Sequence, residues 1–146
     1  MEHSKFSFPD EQQEAFTFGD CWRLAKALHS ITGWDIAAIV CDNQEFKGAH
    51  RDWCHMGNIT PEGKFIDITG ISDEDYALET WGGEFWEHCE LVDDPCHLIR
   101  PLTVQEWDGM TDEQEPRYEE YDPMTAAQEV LAAYIAHQIE QQPVAA

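Results

Sequence analysis

Positive charge is scarce in this sequence: eight Lys and Arg stand against thirty Asp and Glu, a formal net charge of −22. A chain so acidic repels phosphate, which excludes direct nucleic-acid binding through a basic face and disfavours anionic membranes. Long apolar runs are also missing. No stretch approaches the roughly 18 residues a membrane span needs. The start, MEHSKFSFPDEQQE, has neither the basic end nor the apolar stretch of a secretory signal. The five cysteines are an odd number, and no two have CxxC spacing. That usage fits free thiols in a reducing compartment, so a cytoplasmic protein is expected, in the host cytoplasm if a phage encodes it. Glycine-rich phosphate loops and the GxSxG elbow are absent, which argues against nucleotide-binding and serine-hydrolase readings. No D-x-D-x-D-G turn offers calcium its oxygens. No cofactor is expected, and no internal repeat is found.

What remains is the composition of one globular domain: 146 residues, 42% hydrophobic and 12% aromatic, with six Trp. Residues 1–17 read as an arm whose Phe6, Phe8 and Phe16 tuck onto the domain together with Phe18, while residues 10–14 stay wet. The domain proper spans residues 18–146. Asp20 stands where it can cap a helix with Leu24, Ala27, Leu28 and Ile31 at helical spacing, and Gly33 suits the left-handed stop. Residues 36–41, IAAIVC, read as a short buried strand. A polar loop over 42–52 follows. Residues 53–59 and 64–68 read as a β-hairpin about the turn Thr60-Pro61-Glu62-Gly63. Ser72 and the acids after it open a second helix, stopped by Gly82 and Gly83. Weaker strand signals cover 85–92 and 97–102. Thr103 starts a short helix to about Trp107, and 108–122 forms an acidic loop. Asp122 caps a final amphipathic helix over 123–141, with Pro123 in its first position and Val130, Leu131, Tyr134, Ile135 and Ile139 on one face. The fold class is therefore α+β: a Cys-bearing helix packed on a small antiparallel sheet, with further helices.

One constellation carries chemistry. Cys21 falls in the first turn of its helix, where free N–H groups and the positive end of the helix dipole favour a thiolate. A thiol nucleophile also needs a base, and the base an orienting group. His55 lies on the first strand of the hairpin and Asp67 on the second. A four-residue turn brings the two near each other across the ladder, so that the carboxylate fixes the tautomer and turns the other ring nitrogen to the sulfur. The expected catalytic set is Cys21, His55 and Asp67, with Trp22 and Trp53 as substrate-binding neighbours.

The segment Gly19-Asp20-Cys21-Trp22 at the head of a helix resembles the nucleophile segment of papain-like cysteine peptidases. The hairpin from Cys54-His55-Met56 to Phe65-Ile66-Asp67 resembles the His and Asp strands of the wider papain-like and transglutaminase-like superfamily, which includes the NlpC/P60 hydrolases. The resemblance covers residues 18–70. It implies a Cys–His–Asp triad and acyl transfer or hydrolysis at an amide, ester or thioester carbonyl. Where papain-like enzymes place an oxyanion-stabilising Gln six residues before the nucleophile, position 15 is Ala. An oxyanion hole then falls to backbone N–H groups such as that of Cys21.

The Cys-His pairs 54–55, 88–89 and 96–97 suggest soft metal ligands, but neighbours on a strand point to opposite faces, so each pair supplies only one. No metal site is expected. The acidic run Glu106, Asp108, Asp112, Glu113, Glu115, Glu119 and Glu120 is the candidate partner-binding surface. It suits a cationic substrate or a basic protein. The alternative to an enzyme is a phage- or mobile-element-type inhibitor that imitates nucleic acid and occludes a basic binding groove, in the manner of anti-CRISPR and anti-restriction proteins, with the triad inactive or structural.

Overall fold

The computed structural model describes residues 2–41, 53–81 and 97–142. In chain order these form β1 (His3–Lys5), α1 (Asp10–Phe18), α2 (Cys21–Thr32), β2 (Ile36–Cys41), β3 (Trp53–Ile59), β4 (Phe65–Asp67), β5 (Gly70–Ser72), α3 (Glu74–Trp81), β6 (His97–Leu102), α4 (Val104–Thr111) and α5 (Pro123–Glu140). The six strands make one sheet in the order β1-β5-β4-β3-β2-β6, antiparallel throughout. The class is α+β, and the Cys-bearing helix packs against the sheet. No described helix is long and apolar enough to cross a membrane.

β2 is paired on both edges by β3 and β6, and both its faces are packed, which is why its sequence is an unbroken apolar run. Alternation then sorts the two faces. Ile36, Ala38 and Val40 join Met56 beneath α2 and α4, together with Cys21, Trp22, Ala25 and Met110. Ala37 and Ile39 join Phe65 beneath α3, with Ala77, Leu78 and Trp81. A third cluster welds α1, α2 and α5 to the sheet through Phe16, Leu24, Leu28, Ile66, Val130 and Tyr134.

The turn between β3 and β4 behaves as its residues dictate: Gly63 takes φ +81°, and its N–H bonds the Thr60 carbonyl at 2.9 Å. Asp122 caps α5 by accepting from the N–H groups of Met124 and Thr125, and Gly33 closes α2 at φ +75°.

Four expectations change. The first residues are built into the fold: His3–Lys5 add an edge strand on β5, and residues 10–18 are helical after Pro9, with no side-chain cap to announce the start. The helix opened by Thr103 runs on to Thr111, and it begins with a reciprocal cap between Thr103 and Glu106. Ile135 and Ile139 stay 49% and 62% exposed, because the buried stripe of α5 runs instead through Ala126, Ala127, Val130 and Tyr134. Asp20 makes no side-chain cap to α2. The 42–52 loop, the glycine stop at 82–83 and the 85–92 strand lie outside the described residues.

Candidate active site

The site starts from the register of β3. Asn58 pairs with Ile66 and Ile59 with Phe65, so Asp67 falls opposite Gly57, and His55 lies one diagonal step away on the same face. The missing side chain at Gly57 is a requirement. A Cβ there would come within 2.5 Å of the Phe65 ring and 2.6 Å of the Ile66 carbonyl oxygen. With that space kept clear, His55 Nε2 meets Asp67 Oδ2 at 2.8 Å. The other carboxylate oxygen is held by Thr69, whose N–H donates at 2.8 Å and whose hydroxyl donates at 2.6 Å.

Both partners are buried, His55 1% and Asp67 4% exposed. Trp81 from α3 stacks on the imidazole with ring centroids 3.9 Å apart and planes within 20°. Pairing of His55 with Ile39 places the ring on the α3 side of the sheet, whereas the body of α2 covers the other side. β4 ends at Asp67, which leaves the His55 end of β3 without a β4 neighbour. The ring and the first residue of α2 nevertheless lie within interaction range. Burial by itself pushes the His55 pKa down. The hydrogen bond to Asp67 and the hydrogen-bonding and charge interactions with Cys21 more than reverse it, raising the pKa to about 10. Nδ1 makes no hydrogen bond of good geometry, so the contact with the thiol is loose, as catalytic pairs often are before a substrate tightens them. Burial raises the Asp67 pKa, but the His55 and Thr69 hydrogen bonds outweigh it and hold the carboxyl below its usual range.

Cys21 is the first residue of α2 and is 5% exposed. Asn58 fixes the helix above the sheet: its buried side chain donates to the Ala25 carbonyl at 2.9 Å, one turn beyond Cys21. Trp22 and Trp53 fall in the same apolar cluster as the sulfur. Trp22 donates to the Gly19 carbonyl and leans on Trp107, and Trp53 donates to the Met110 carbonyl at 3.4 Å.

The structure thus joins His55 to Asp67 by a hydrogen bond and lets Cys21 act on the same ring, while Trp22 and Trp53 pack in the apolar cluster that holds Cys21. The acidic set is not uniform. Glu106 is committed to its cap, accepting from the Thr103 N–H at 3.0 Å and lying 3.5 Å from Arg100. Asp108, Asp112, Glu113, Glu115, Glu119 and Glu120 are exposed. Among the described residues no group of His, Cys, Asp and Glu side chains has the arrangement of a metal site. A separate hollow of about 110 Å³, lined by Glu2, Glu62, Lys64, Asp73 and His137 among others, does not touch the thiol.

Asn58, Thr69 and Trp81 were not expected in the site. A polar Asn in a strand otherwise facing a helix is a signal for the first. Thr69 stands two residues after the Asp67 it bonds, a local Asp-x-Thr pattern, whereas Trp81 depends on a contact between distant segments. No protein-family model, curated protein or solved structure matches the chain.

Proposed function

We propose that this protein is a small thiol hydrolase or acyltransferase of papain-like or transglutaminase-like chemistry, acting on an amide, ester or thioester carbonyl. The observation that carries the reading is one buried imidazole, bonded through Nε2 to Asp67, with Nδ1 left over and the Cys21 thiol acting on the same ring. In this reading Asp67 holds the Nε2 proton and supports the imidazolium, leaving the Nδ1 proton for transfer. The Cys21 thiolate attacks the carbonyl carbon. The tetrahedral intermediate collapses as His55 gives the Nδ1 proton to the leaving amine, alcohol or thiol, and a thioester on Cys21 remains. Neutral His55 then takes a proton from water or an acceptor nucleophile, whose attack frees the acyl group and restores the thiolate. No side chain caps α2, so first-turn N–H groups can serve the oxyanion.

The exposed carboxylates of 108–120 favour a cationic substrate or a basic protein bearing the acyl group. They also support the second reading, an acidic inhibitor that occludes a nucleic-acid-binding groove. The test is acylation of the full-length protein by p-nitrophenyl acetate, read by intact mass and peptide mapping. A single acetyl group on Cys21 is expected, absent in Cys21→Ala and formed about 10²- to 10⁴-fold more slowly in His55→Ala. Acetylation spread over lysines, or unchanged in His55→Ala, leaves only the acidic-inhibitor reading.

A further inference from the structure

Asp20, the residue before the proposed nucleophile, has a fully buried carboxylate. An acid at this position ordinarily caps the helix that follows. Here, with Asp20 at φ −117° and ψ 22°, the side chain makes no cap hydrogen bond to α2. Its oxygens instead collect donors from 97 and 98 residues downstream: Oδ1 accepts from the Arg117 N–H at 2.9 Å, and Oδ2 accepts from the Tyr118 N–H at 3.0 Å. The Arg23 guanidinium completes the set at 3.1 Å. Gly19 shapes the other wall, since a Cβ there would lie 2.9 Å from Arg117 Cδ and 3.2 Å from the Tyr118 ring. Three converging donors satisfy this buried carboxylate.

From this we infer that Asp20 is a positioning residue for Cys21. It clamps the segment after α4 onto the start of α2 and thereby holds the thiol against the His55 ring. The inference rests on the thiol–imidazole reading above. It also explains why an acidic, otherwise solvated segment is pinned at this point of the molecule.

The experiment is an NMR titration of the His55 ring in the full-length protein, in Cys21→Ala, and in Asp20→Asn, Asp20→Ala and Arg117→Pro, each with a thermal melt. Arg117→Pro deletes one clamp N–H and leaves Asp20 untouched, so the inference stays testable where Asp20→Ala fails to fold. The parent midpoint is expected near 10, and in Cys21→Ala it falls by about one unit or more as the thiol's share is lost. The Asp20 and Arg117 variants are expected to fall toward the Cys21→Ala value, with Asp20→Asn intermediate because its one oxygen keeps part of the clamp. A merely structural role lowers the melting temperature and leaves the His55 midpoint at the parent value, which overturns the inference alone. A parent midpoint near 6.5, or one unmoved by Cys21→Ala, overturns both it and the thiol–imidazole reading.

Discussion

His55 and Asp67 form a buried pair whose protonation is tied to folding. The His55 pKa is raised to about 10, so its contribution to stability is complete below the unfolded value near 6.5 and is lost as pH climbs through about 10. The Asp67 pKa is lowered, so its contribution is present above the unfolded value near 4 and is lost as pH falls through the folded value. Urea unfolding across pH should give a plateau between about pH 4 and 6.5, falling away on both sides, and Asp67→Asn should flatten both shoulders. Gly57→Ala forces a methyl into the Phe65 ring and the Ile66 carbonyl. A cost of about 1–3 kcal/mol in urea unfolding is expected, with the His55 titration moved toward its ordinary value. The Cys, His and Asp were legible because the chemistry of a thiol site restricts which residue types can serve and in what chain order. Gly57 was not, since its meaning depends on a ring two strand positions beyond the turn.

Elements were legible where their signals are local. The caps at Asp122 and Thr103, the turn at Gly63 and the apolar run of β2 each act within a few residues, and each forms as its sequence implies. α1 has no local signature because it follows Pro9 without a capping side chain and its buried Ala15 and Phe16 are adjacent rather than repeated at helical spacing. The buried face of α5 was misjudged because its apolar residues nearly encircle the helix, and small alanines rather than Ile135 and Ile139 meet the sheet side. The difference is measurable. Ile139→Glu should change stability by no more than about 0.5 kcal/mol, whereas Val130→Ala should cost about 2 kcal/mol. Equal losses would contradict the assigned face. Asn58→Leu removes the tie from β3 to α2 and should cost about 1–3 kcal/mol while slowing modification of Cys21.

For the whole molecule, a formal charge of −22 sets two opposing demands. Self-repulsion destabilises the compact state, so added sodium chloride should raise the melting temperature, while the same salt should weaken capture of a lysine-rich peptide. A partner held equally well at low and high salt would count against a charge-guided surface. The sequence displayed the charge but not where it gathers: Glu106 is withdrawn into a cap, while the segment after α4 is pinned beside Cys21 by Asp20. Fold, charge and chemistry meet at one sulfur, so the most direct measurement is its alkylation by iodoacetamide as a function of pH. Paired with the His55 ring, Cys21 should react faster than glutathione at pH 6 and lose that advantage in His55→Ala. A rate that climbs about ten-fold per pH unit, indistinguishable from glutathione and unaffected by His55→Ala, would contradict a thiol paired with that ring.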